Sequence, residues 1–121
     1  MIKTKGQIEA EISEAIVKFE KEYMGRGPEE IKTYIIEDMI LVRLEGVLTP
    51  AEKQLSKAND DDGRGLIKQV RTKLLEKGRV LIETIVQDIT GKRVKTLHTD
   101  ISTISGERVI IFVLDTPLFN E

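Results

Sequence analysis

Cysteine and tryptophan are absent from the 121 residues, histidine occurs once, proline three times, and aromatic side chains make up only 4% of the chain. Without cysteine there is no disulfide staple, no thiolate metal site and no thiol nucleophile, and the composition fits a reducing compartment, the cytoplasm. So few aromatics imply an aliphatic core and leave little to stack on nucleobases. Neither sign of charge dominates. Nineteen Lys and Arg face 21 Asp and Glu for a formal net charge of -2, so the bulk electrostatics recruits neither nucleic acid nor an anionic membrane. Long apolar runs are lacking too: Val109 to Leu114, the longest aliphatic one, falls far below the about 20 residues that span a bilayer. The N-terminal stretch MIKTKGQIEAEISEAIVKFEKEY is charged throughout, with no apolar core of the kind a secretion signal needs. The expectation is a single domain over residues 1–121, without membrane insertion and without nucleic acid as a partner.

What is present is periodicity. Ile8, Ile12, Ile16, Phe19 and Tyr23 recur at steps of four and three among charged residues, which predicts an amphipathic helix over about Lys5 to Met24. Gly25-Arg26-Gly27-Pro28 stops it. Ile31 to Ile36 and Met39 to Glu45 read as two strands joined tightly at Glu37-Asp38. Thr49-Pro50-Ala51-Glu52 has the form of a capping box and starts a short helix at Pro50 that runs to about Ala58. A longer helix follows in which Ile67, Val70, Leu74, Leu81, Ile85 and Ile89 are expected to share one face, with Gly78 a weak point inside it. Gly91 supplies its stop, and Val94 to Ile101 and Arg108 to Leu114 form a second strand pair. The expected fold is therefore α+β in the order α-β-β-α-α-β-β: two layers, with a four-stranded antiparallel sheet and the helices on one face. The helix-hairpin unit is written twice. Ile31-Lys32-Thr33 and Val94-Lys95-Thr96 open the hairpins alike, a match open to chance and to duplication.

One stretch looks like a ligand site: NDDDGRGL, residues 59 to 66. An EF-hand register puts Ala58 and Gln69 at its first and twelfth ligand positions, and neither carries a carboxylate. A phosphate loop wants a preceding strand and a closing Lys-Ser or Lys-Thr, which are missing here. The remaining reading is a helix start near Gly63, with Asp60 to Asp62 beside the positive helix end. His98 shares a strand face with Thr96, Asp100 and Ser102, which invites a Ser-His-Asp triad; but strand residues two apart lie about 6.6 Å from each other and do not converge. Arg64, Lys68 and Arg71 form a basic stripe suited to phosphate, lipid headgroups or an acidic protein, or to the glutamate-rich first helix within the fold. No catalytic, cofactor-binding or metal-ligating residue is assigned. The candidate interaction residues are Arg43, Arg64, Lys68, Arg71, His98, Asp100 and Arg108.

Gly25-Arg26-Gly27-Pro28, then IIEDMILVRLEGVLTPAEKQL from Ile35 to Leu55, Gly63-Arg64, and HTDISTISGERVIIFVLD from His98 to Asp115 together resemble a small bacterial domain family, the MpsC-type subunit of a Na+-translocating membrane-potential-generating system. The resemblance spans nearly the whole chain and marks Arg43, Glu45, Thr49, Pro50, Glu52, Arg64, Asp100, Glu107 and Arg108. It implies cooperation with membrane subunits in sodium-dependent energisation or bicarbonate uptake, and no catalytic assignment. A chain with no spanning segment does not itself translocate sodium. The function expected first is thus a non-enzymatic accessory or regulatory domain working through protein contacts, a cytoplasmic homodimer without cofactor. Association with a membrane transporter subunit, as a peripheral partner, stands beside it. The alternative is a small-molecule or anion-binding, enzyme-like domain using the Asp100 and Arg108 region, which a pocket lined by His98, Asp100 and Arg108 would favour. The dimer expectation rests on strands that are apolar at both parities, as at Ile110 and Ile111, because a sheet apolar on both sides needs a second covering layer.

Overall fold

The computed structural model describes residues 2–57 and 61–119. Its elements are helix α1 (Lys5–Met24), strands β1 (Glu30–Ile36) and β2 (Met39–Glu45), helices α2 (Pro50–Lys57) and α3 (Asp61–Thr90), and strands β3 (Val94–Ile101) and β4 (Arg108–Leu114). The expected order holds throughout. Local chemistry explains the boundaries. Thr4 caps α1 in a reciprocal box with Gln7, and Gly25 closes it in the left-handed conformation, which only glycine adopts without strain. The box read at the start of α2 is formed: Thr49 Oγ1 accepts from the Glu52 amide at 3.2 Å and the Thr49 amide donates to Glu52 Oε1 at 2.8 Å. Asp61 and Asp62 stand in the first turn of α3, so NDDDGRGL does open a helix, two residues earlier than Gly63; Asn59 and Asp60 lie outside the described residues, as does Ala58.

The sheet is antiparallel with strand order β1-β2-β4-β3, so the two hairpins meet through their second strands. Its inner face carries Ile35, Ile40, Val42, Leu44, Leu97, Ile101, Ile110, Phe112 and Leu114, packed against Ile8, Ile12, Ile16 and Phe19 of α1 and Ile67, Leu75, Ile82 and Val86 of α3. The core is indeed almost wholly aliphatic. Its outer face carries two apolar rows that run across three strands: Ile36, Met39 and Val113, then Tyr34, Leu41 and Ile111. Helices cover only the inner side.

The buried face of α3 departs from expectation. In place of Val70, Leu74, Leu81 and Ile85, the buried positions are Ile67, Arg71, Leu75, Gly78, Ile82 and Val86; Val70 and Leu81 are exposed. The helix is rotated because two residues that a hydrophobic pattern passes over, Arg71 and Gly78, sit on the core side. Nor does Gly78 interrupt the helix, which runs unbroken for 30 residues. A Cβ at Gly78 would fall 2.7 Å from Phe19 Cζ, so the missing side chain is what lets α1 and α3 cross closely. Tyr23 stacks on Phe19 at that crossing, ring centroids 4.7 Å apart.

Candidate functional site

Charge is buried where these elements converge. Glu20 lies on the stripe of Ile8, Ile12 and Ile16 and is 1% exposed; Arg71 of α3 and Arg108 of β4 are each 2% exposed. Arg71 is held by three bonds: Nε and Nη2 fork onto Glu52 at 2.8 and 2.6 Å, and Nη2 also donates to the Val47 carbonyl at 2.8 Å, while Nη1 is buried with no hydrogen-bond partner. Glu52 therefore serves the α2 cap and the Arg71 fork at once. Although desolvation opposes ionisation, the bonds from Arg71 and Thr49 hold its carboxyl below the ordinary glutamate value.

Glu20 and Arg108 are less well provided for. Arg108 Nη1 donates to Thr99 Oγ1 at 3.3 Å, while its Nε and Glu20 Oε1 are buried with no hydrogen-bond partner. Burial pushes the Glu20 carboxyl above its ordinary value, against the pull of the Arg108 and Arg71 guanidiniums. Burial likewise lowers Arg108, against the pull of Glu20. A guanidinium removed from water normally sits against a carboxylate. Among the described residues, Arg108 forms no ion pair within contact distance.

Arg108 lines a pocket of about 300 Å³ between α3 and the edge strand β3. Thr72, Leu75, Glu76 and Arg79 form the helical wall, and residues 97–101 the strand wall. Thr99 faces the helix layer, since it pairs with the buried Ile110, yet remains exposed because α3 stands away from β3 there. Its hydroxyl donates to the Val109 carbonyl at 2.8 Å, which leaves oxygen lone pairs for Arg108. Arg79 reaches the Leu97 carbonyl at 3.4 Å and Glu83 at 3.6 Å. Asp100 accepts from Lys68 Nζ at 3.1 Å; that bond, with the Ile101 amide, keeps its carboxyl below the ordinary aspartate value. A wider depression of about 480 Å³, lined by Glu29, Lys53, Lys57 and Glu107 among others, opens beside α2. It has no buried charge in its wall.

The structure thus brings His98, Asp100 and Arg108 to one pocket and disperses the other candidates. The Arg64-Lys68-Arg71 stripe is no open basic surface: Arg64 pairs with Asp61, Lys68 with Asp100, and Arg71 is in the core on Glu52. Arg43 lies on the outer sheet face, on Glu107 at 2.7 Å and Glu45 at 3.2 Å. Sequence reasoning missed Glu20 and Glu52 as members of the cluster. Glu20 had a signal, since it follows Ile12 and Ile16 at helical steps of four; the burial of Arg108 had one too, in its strand parity with Ile110, Phe112 and Leu114.

Comparison with known proteins agrees with the sequence motifs. Residues 4–116 match the family model described as Na+-translocating membrane potential-generating system (MpsC). Two proteins of Bacillus subtilis (strain 168) are similar: Uncharacterized protein YbcI, 47% identical over 114 residues that cover 94% of this chain and 90% of the relative, and Uncharacterized protein YrhF, 30% identical over 107 residues that cover 87% and 85%. No solved structure matches.

Proposed function

Because the chain belongs to the MpsC family of the Na+-translocating membrane potential-generating system, we propose that it is a non-enzymatic accessory or regulatory domain that works through protein contacts, as a cytoplasmic homodimer peripheral to a membrane transport partner. No helix among the described residues is long and apolar enough to cross a membrane, which supports a role beside a translocating partner. The observation that carries the reading is the outer sheet face. Tyr34, Ile36 and Met39 are 42%, 47% and 37% exposed, and with Leu41, Ile111 and Val113 they form one continuous apolar surface with no layer of described residues over it. A second copy supplies that layer, and twofold pairing is the commonest closed arrangement. Charges of both signs at its margin, Arg43 with Glu45 and Glu107, suit a surface that meets itself. Sedimentation at micromolar concentration is expected to give twice the 13.7 kDa chain mass. Ile111→Glu should yield monomer or aggregate. A wild-type chain that stays monomeric from nanomolar to millimolar concentration overturns the dimer; absence of any integral protein co-purifying with the native chain from membranes overturns the transport partnership.

The enzyme-like alternative is favoured by one observation, the shared pocket of His98, Asp100 and Arg108. Asp100 is engaged by Lys68 and shifted towards the ionised, weakly basic side, which suits holding a ligand better than abstracting a proton. The pocket is therefore read as a binding site within an accessory domain.

A further inference from the structure

Arg108, in the pocket wall, is buried with no carboxylate in contact, although Glu20 and Asp100 act on it from a distance. Arg71 forks onto Glu52, although its Nη1 is left without a partner, and Lys68 engages Asp100, but Arg108 has only a neutral hydroxyl, Thr99, in hydrogen-bonding contact. Glu20, on α1, attracts it from beyond contact distance. Leaving a buried charge without a contacting partner is among the costlier arrangements in a protein interior. No described carboxylate contacts Arg108, and the structure does offer a cavity whose wall includes both Arg108 and Thr99. We infer that this pocket between α3 and β3 binds a small organic monocarboxylate, whose carboxylate sits against the Arg108 guanidinium.

The walls define the ligand class. Leu75, Leu97 and Ile101 offer apolar surface for a short carbon body, and about 300 Å³ admits a small metabolite but no nucleotide. Glu76 and Asp100 also line the pocket, and two carboxylates penalise a dianion such as phosphate while tolerating a single negative charge placed on the arginine side. Arg79, already engaged by Glu83 and the Leu97 carbonyl, adds positive field from the same helix. A planar carboxylate matches the guanidinium fork better than a spherical halide does. This inference is independent of the dimer, since the outer sheet face and the pocket share no requirement.

The test is a titration of the ¹⁵N-labelled chain with sodium acetate, sodium butyrate and sodium phosphate, each against sodium chloride at matched ionic strength, followed by NMR. Acetate and butyrate are expected to give saturable shifts confined to the amides of 97–101, 108 and 72–79 and to the Arg108 side chain, butyrate binding the more tightly. Arg108→Lys should weaken binding about tenfold, the weight of one hydrogen bond to a charged group. Arg108→Gln strands Glu20 and can unfold the chain, so the double change Glu20→Gln with Arg108→Gln serves as the neutral, near-isosteric control and should bind nothing. Glu20→Gln alone leaves Arg108 without its distant counter-charge and is expected to bind butyrate more tightly than wild type. Shifts that track chloride, a double variant that titrates like wild type, Glu20→Gln binding no tighter than wild type, or saturation by phosphate alone would each overturn the inference. A monomeric chain that still binds butyrate would separate this result from any failure of the dimer.

Discussion

The chain is built from two helix-hairpin units, α1-β1-β2 and α3-β3-β4, that meet through β2 and β4 yet close their outer edges differently. In the first unit the helix is sewn to its edge strand. Glu9 Oε2 accepts the Ile35 amide of β1 at 2.9 Å, and Ser13 and Thr33 hydroxyls meet at 2.7 Å. In the second unit Gln87 Oε1 accepts the Val94 amide at 3.0 Å where β3 begins, but farther along the helix reaches β3 only by long side chains, Lys68 to Asp100 and Arg79 to the Leu97 carbonyl, and a pocket lies between them. Short polar residues on α1 permit close approach, whereas lysine and arginine on α3 act as spacers. The same layout therefore yields a sealed edge and an accessible one.

The largest effect is expected where both units depend on a single crossing. Phe19→Ala should cost about 3–5 kcal/mol, and Gly78→Ala, which pushes a methyl into Phe19, about 1–3 kcal/mol, both by urea denaturation. If Gly78→Ala is neutral, the close helix crossing does not limit the fold. The sealed edge comes next. Glu9→Ala removes a charge-assisted bond to a strand amide and is expected to cost about 1–2 kcal/mol, with faster hydrogen exchange at Ile35.

Glu20 sharpens the comparison through pH. Its folded-state value is raised by burial above the ordinary 4.5, so the folded chain binds the proton more readily than the unfolded one. The stability this contributes is complete below the unfolded value and is lost as pH rises through the folded value. Relative to Glu20→Gln, wild type should thus gain stability as pH is lowered towards 4.5, while Glu52, shifted the other way, keeps its contribution down to the unfolded value and loses it in both chains only as pH falls further, through its own lower folded value. Parallel pH curves for the two proteins would show that Glu20 is not coupled to folding. The smallest effect belongs to the spacer edge: Lys68 and Asp100 are well exposed, and Lys68→Ala should change stability by no more than about 0.5 kcal/mol. A loss equal to that of Glu9→Ala would erase the distinction between the edges.

Much of this fold was legible because each element carries its own signal. The four-step isoleucines of α1, the Thr49-Glu52 box and the alternating strands need no tertiary information. The rotation of α3 was not legible, since a hydrophobic pattern rewards Val70 and Leu74 and passes over Arg71, whose burial depends on a carboxylate 19 residues away in sequence. The pocket was half legible. His98, Asp100 and Arg108 were candidates from sequence, but strand parity places His98 and Asp100 opposite Arg108, and only the gap at the open edge puts all three in one wall.

Glu52 gives the short helix α2 a distinctive mechanical character. That helix buries none of its residues, so its attachment to the rest of the molecule is polar: the Glu52 carboxylate is shared between its own first turn and Arg71, Arg64 of α3 donates to the Ser56 carbonyl at 3.4 Å, and Lys53 lies 3.9 Å from Glu29. Removing that one charge would break the cap and the Arg71 fork in a single event, leaving the Arg64 and Lys53 contacts as the remaining ties of the helix. In exchange or relaxation experiments α2 would behave as a hinged flap, whose opening leaves the sheet and the two long helices intact.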